Sequence, residues 1–238
     1  MLTLGKPQPE AVRPVRDSRC FRRHRRDWAS CALLAAATLA TARSNDGPAV
    51  QVSATSSNSI TLDGLLNEPA WRDAPAMKLT QQAPKPGQPT PYETRVQVIV
   101  TNDRIYFGFT CKDPDPGRIA IHTMRRDGDL TGDDTVSIVL DTYGDRRTGY
   151  FFQINAAGTR VDGLISTADS VSLDWDGIWD ARTARTPDGW SAEIVIPSRT
   201  LSFTPGLNDW GLNLERFIPP NVSGYAEHRR HWIRFYTI

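Results

Sequence analysis

Residues 133–155 read Asp133-Asp134-Thr-Val-Ser-Ile-Val-Leu-Asp141-Thr-Tyr-Gly-Asp145-Arg-Arg-Thr-Gly149-Tyr-Phe-Phe-Gln-Ile-Asn155. Val136, Ile138 and Leu140 alternate with Thr135, Ser137 and Val139, the period-two pattern of a strand with one face in a core. Gly144 to Thr148 supplies turn residues, and Tyr150 to Asn155 returns as a second strand. The stretch is therefore a β-hairpin with carboxylates at its ends.

The same pattern recurs on both sides. Thr94 to Thr101 alternates through Val96, Val98 and Val100. Asn102-Asp103 makes a two-residue turn, and Arg104 to Lys112 returns through Ile105, Phe107 and Phe109. Thr159 to Ser166, Trp179 to Thr186, Trp190 to Ile196, Trp210 to Ile218 and Trp232 to Tyr236 read as further strands. Helical periodicity is confined to a short turn opened by Pro69, capped by Asn67 or Glu68 and carrying Trp71 inward. About nine short strands joined by Asn, Asp, Gly and Pro turns predict an all-β antiparallel sandwich, jelly-roll-like, with an up-and-down barrel as the alternative.

The first forty residues differ from the rest. Arg22, Arg23, Arg25 and Arg26 precede an apolar run from Cys31 to Ala42 that ends in Ala40-Thr41-Ala42, the order of an export signal with a small-x-small cleavage site. The run falls short of the roughly 20 apolar residues needed to span a bilayer. The expected organisation is a leader over 1–42, a flexible lead-in over 43–57 and one β-sandwich over 58–238. The expected location is the periplasm, the cell surface or the outer membrane. The leader holds 8 of the 28 Lys+Arg and 3 of the 27 Asp+Glu, so the remainder is mildly acidic, with 20 basic and 24 acidic residues. Such a balance lacks the basic stripe that nucleic-acid binding requires. Cys111 is alone beyond the leader, which excludes an intrachain disulfide there.

Loop carboxylates are the first candidates for chemistry. Asp127, Asp129, Asp133 and Asp134 offer the hard oxygen ligands that calcium takes in sets of six to eight, although the same residue type also builds turns and solvated strand ends. Aromatic residues are the second. A flat indole stacks on the apolar face of a pyranose while amide and guanidinium groups serve its hydroxyls. Trp71, Trp190 and Trp210 read as core residues. Trp175, between Asp174 and Asp176, is the candidate platform, with Trp232 as a second face and Gln153, Asn155 and Arg126 as polar partners. His122, His228 and His231 form no metal motif, no Gly-x-Ser-x-Gly elbow exists, and no acid–base pair stands out. A binding domain without catalysis of its own is expected.

The ordered motifs Ile60-x-Leu-Asp-Gly-x-x-Asn-Glu-Pro-Ala-Trp71, Val96-x-Val-x-Val with Ile105-Tyr-Phe-Gly, Asp134-x-Val-x-Ile-x-Leu-Asp141, Gly189-Trp-x-Ala-Glu-x-x-Ile-Pro197 and Trp210-Gly-x-Asn213 resemble the carbohydrate-binding module family 9 domain over residues 58–236. Arg125-Arg126-Asp127 and Arg147-x-Gly-Tyr150 are similar to the variant found at the front of large bacterial outer-membrane proteins. The resemblance implies a calcium-bearing β-sandwich that binds oligo- or polysaccharides, often attached to xylanases and similar glycosyl hydrolases. It also implies a possible outer-membrane protein partner. Sugar-binding members carry an aromatic residue just before the Asp-x-Val-x-Ile-x-Leu-Asp strand, where this chain has Leu130, Thr131 and Gly132. The resemblance thus also allows a structural or docking domain in which sugar binding is lost.

Overall fold

The computed structural model describes residues 52–54, 60–83, 85–167, 170–207, 209–219 and 229–237, with residues 167 and 229–237 as backbone alone. The expected leader and most of the lead-in lie outside these residues. The expected sandwich is present, built from two six-stranded sheets.

The first sheet contains β1 (Ser53–Ala54), β2 (Ala76–Lys78), β3 (Thr94–Val100), β4 (Arg104–Lys112), β9 (Asp180–Thr186) and β10 (Gly189–Pro197). Its order is β1-β3-β4-β10-β9, with β2 also pairing β3. The second contains β5 (Thr135–Asp141), β6 (Gly149–Asn155), β7 (Arg160–Thr167), β8 (Ser170–Ser172), β11 (Gly211–Ile218) and β12 (Arg229–Thr237), in the order β12-β11-β5-β6-β7-β8. All pairings are antiparallel except β1 with β3.

Alternation explains the register. Val96, Val98 and Val100 pair with Phe109, Phe107 and Ile105, so branched and aromatic side chains meet on one face. Thr101 closes the Asn102-Asp103 turn by donating its N–H to the Arg104 carbonyl at 2.8 Å. On the opposing sheet Ile138 and Leu140 pair with Phe152 and Tyr150. These residues and Trp190, Ala192, Ile194, Leu212 and Leu214 fill the space between the layers. The β5–β6 turn is held by Asp141, whose carboxylate accepts the N–H groups of Tyr143, Gly144 and Arg146. Asp145 accepts those of Arg147 and Thr148. Both residues act as turn formers, which satisfies backbone donors that the tight connection leaves without strand partners.

A second apolar cluster lies on the far side of the first sheet. Ile99, Tyr106 and Val195 are covered there by Trp71 and Ala74, with Ile60, Leu62, Leu66 and Ala70 packed around them. Trp71 rides on α1 (Pro69–Asp73), whose first position is proline as expected. Its indole N–H donates to Glu193 Oε1 at 2.8 Å, while the N–H groups of Asp63 and Gly64 reach Glu193 Oε2, also at 2.8 Å. One buried carboxylate thus pins the whole 60–71 segment over the sheet. Strands β1, β2 and β8 go beyond the sequence reading because two or three residues are too few to display alternation.

Candidate functional site

The outer face of the second sheet carries a groove of about 520 Å³. Its floor follows from register, because residues directly opposite in adjacent strands share a face. Ser137 lies opposite Glu215 on one side and Gln153 on the other, and Gln153 lies opposite Val161. The backbone position opposite Glu215 on β12 is Trp232, which extends the row to a fifth strand. Phe151 and Phe217 flank this row. Gln153 Nε2 donates to Thr135 Oγ1 at 3.3 Å and to Ser137 Oγ at 3.1 Å, which fixes the amide's orientation on the floor.

Two rims border the groove. Gly128, Asp129, Leu130 and Thr131 line one, and Val171 and Leu173 the other. The first rim turns through Asp127, which adopts a left-handed φ of 56°, and docks on β7 through its N–H to the Arg160 carbonyl at 3.0 Å. Thr131 N–H donates to Asp129 Oδ1 and holds the Asp129 carboxyl below its ordinary pKa. The second rim closes tightly on β7: a Cβ at Gly163 would lie 2.5 Å from the Ser172 carbonyl oxygen, so this position requires glycine.

Arg126, 36% exposed, links the turn before the first rim to β7 and to the loop after the second. Its Nη2 donates to Asp162 Oδ1 at 2.8 Å and to Asp176 Oδ1, and its Nε lies 3.3 Å from Asp127 Oδ2. The buried Asp162 also accepts the Gly177 N–H at 2.6 Å. Trp175, expected as a loop platform, is half-buried. Its ring centroid lies 5.0 Å from that of Tyr150 and 5.9 Å from that of Phe152, both of which belong to the inter-sheet core. The indole therefore packs on the edge of the core, and Trp175 is not among the residues lining the groove.

Asn155 and Asp133 are also structural in their contacts. Asn155 Nδ2 donates to the Thr123 carbonyl at 2.7 Å and to Asp133 Oδ2 at 2.8 Å. Asp133 further accepts the N–H groups of His122 at 2.6 Å and Thr123 at 3.3 Å, and lies 2.9 Å from His122 Nδ1. Asp134 accepts Arg216 Nε at 3.0 Å, Arg216 Nη2 at 2.7 Å and Trp190 Nε1 at 3.2 Å. The four carboxylates expected as calcium ligands thus divide between two separate buried hydrogen-bond networks and the exposed rim. Among the described residues no three His, Cys, Asp or Glu side chains converge as a metal site. As a set, Asp127, Asp129, Asp133 and Asp134 do not fit a calcium cage, which needs several oxygens directed at one point.

Three groups escaped the sequence reading. Glu215 and Phe217 were legible only as strand residues, although their outward position on β11 could have marked them for the groove. Arg216 was detectable in principle: it takes an inward position between Leu214 and Ile218 in an alternating strand, and a charge there demands a buried partner. Burial works against its charge, but the Asp134 carboxylate and its hydrogen bond, helped by neighbouring groups including Asp113, outweigh it and hold the guanidinium protonated.

No family model and no curated protein sequence matches the chain. Solved structures do. A candidate carbohydrate-binding protein from Bacteroides uniformis superposes with a TM-score of 0.62 at 14% identity, covering 81% of this chain and 98% of that one. A carbohydrate-binding module family 9 domain from Caldicellulosiruptor kristjanssonii in complex with cellotriose gives 0.52 at 15% identity, covering 76% and 84%. The same module in complex with glucose gives 0.51 at 16% identity, covering 76% and 85%. At these identities the likeness is one of fold: the chain has a carbohydrate-binding-module-like sandwich.

Proposed function

We propose that this protein is an exported, non-catalytic carbohydrate-binding domain that captures an oligo- or polysaccharide in the groove on the outer face of its second sheet. One observation carries the reading: a concave surface sets the polar row Glu215, Ser137 and Gln153, continued by Val161, between the apolar flanks Phe151 and Phe217. A sugar ring has this same division, with apolar C–H faces and a hydroxylated edge, and mostly apolar pockets with a few fixed polar groups suit such ligands. Glu215 and Gln153 supply acceptors for hydroxyls, and the aromatic walls supply stacking surface.

The test is calorimetric titration of the purified protein with glucose, cellotriose and a panel of longer neutral oligosaccharides. Saturable heat that is lost in Phe151→Ala and in Glu215→Gln supports the reading. A second reading, a domain that docks on an outer-membrane protein, is favoured by the packing of Trp175 on the core and by the aromatic-free rim Leu130–Gly132. A folded protein that gives no heat with any sugar selects that alternative.

A further inference from the structure

We infer that Arg126 is a positioning residue that clamps the two rims of the groove together and so sets its width. The inference rests on the groove being the binding site for its consequence in affinity, but not for the clamp itself. Arg126 belongs to the turn that leads into the Gly128–Thr131 rim. Its guanidinium reaches Asp162 on β7 and Asp176 in the loop that follows the Val171–Leu173 rim.

The Asp162 end is what makes this a clamp rather than a chance surface pair. Asp162 is 1% exposed, and its second oxygen accepts the Gly177 N–H, so one buried carboxylate ties Arg126 and the backbone of the opposite loop at once. A planar guanidinium can hold two carboxylates in fixed directions, which a lysine ammonium does far less well. Removing the cation leaves the Asp162 charge buried with only a backbone donor, and relief comes from opening the 173–177 loop to water. Trp175 lies within that loop, against Tyr150, so any opening also loosens its packing.

The clamp is tested by amide hydrogen exchange on the full chain and its variants, with cellotriose titration alongside. In Arg126→Gln, exchange should rise about tenfold in 125–131 and in 173–177, while β4 and β10 stay as protected as in the parent protein. Cellotriose affinity should fall by several-fold. Arg126→Lys, which retains the charge and guards against a misfolded glutamine variant, should give a smaller rise at the same two segments. Asp176→Asn should loosen 173–177 alone. Unchanged exchange at both rims in Arg126→Gln overturns the inference, as does weakened cellotriose binding with no change in exchange, which would make Arg126 a direct sugar contact. If the parent protein binds neither cellotriose nor any other saccharide of the panel yet the exchange pattern appears, the clamp stands and the saccharide reading of the groove falls.

Discussion

Arg216 and Asp134 form a two-point ion pair buried between the two sheets, with Nε and Nη2 of the arginine donating to the two carboxylate oxygens at 3.0 and 2.7 Å. Both side chains are sealed from solvent. Arg216 Nη1 continues to Thr94 Oγ1 at 3.2 Å and to the Lys112 carbonyl at 2.9 Å, so one residue of the second sheet is hydrogen-bonded to two strands of the first. Cys111 lies in the same interior, its thiol pushed up to about 12 by burial, and stays protonated and unreactive there.

Breaking this pair one member at a time should therefore be severe. Asp134→Asn and Arg216→Met should each lower unfolding free energy by about 3–5 kcal/mol, because each leaves a buried charge without its two-point partner, Arg216 keeping only the more distant Asp113 at 4.0 Å. The paired replacement of Asp134 and Arg216 by apolar residues should recover much of the loss. Urea denaturation of the two single variants and the double variant measures the coupling directly.

Glu193 makes the acid limb of stability unusual. Burial raises its pKa above the ordinary 4.5, although the N–H groups of Gly64 and Asp63 and the Trp71 indole act in the opposite direction. A carboxylate with a raised native pKa binds more protons folded than unfolded between the two values. Its contribution to stability is then present below 4.5 and declines as pH rises through the native value. Unfolding free energy measured from pH 4 to 7 for the parent protein minus that for Glu193→Gln should fall with rising pH across that window. A flat difference would contradict the linkage.

Trp175→Ala tests packing against platform. Its contacts with Tyr150 and Phe152 predict a stability loss of about 1–3 kcal/mol, reduced from the value for a fully buried aromatic because the ring is only half-buried. Oligosaccharide affinity should change less than in Phe151→Ala. A variant of parental stability that has lost all binding would restore Trp175 as the sugar platform.

Asp133 distinguishes a hydrogen-bond hub from a metal ligand. Asp133→Asn turns one acceptor towards the His122 and Thr123 N–H groups or Asn155 into a donor, at a cost of about 1–3 kcal/mol. The drop in melting temperature should be the same in millimolar calcium and in chelator. A larger drop in calcium would identify Asp133 as a ligand, since a metal bound only to the native state adds stability by mass action.

The hairpins β3–β4, β5–β6 and β9–β10, the Pro69 turn and the inward Trp71 were all legible in the sequence, because alternation and turn chemistry are local properties carried by neighbouring residues. Gln153 was legible as a candidate and does lie in the groove, and the backbone of Trp232 extends the groove's row. Asn155, Asp133 and Asp134 were equally visible as polar residues near strand ends, yet composition cannot say whether a carboxylate meets a metal, a backbone N–H or an arginine. Trp175 illustrates the same limit: an indole between two aspartates reads as exposed, and only the nearby Tyr150 and Phe152 draw it onto the core.

What the sequence alone determined is the class of fold and the inward face of each long strand, since a period of two assigns every other side chain to one side. What the tertiary structure decided is who meets whom. Asp134 and Arg216 are 82 positions apart and pair because β11 lies beside β5. The groove floor likewise draws its residues from β11, β5, β6 and β7, whose order across the sheet is not their order along the chain. Side-chain direction is a local consequence of backbone geometry, whereas adjacency is fixed only when the whole chain finds the arrangement that buries its apolar faces and pairs the charges caught between them.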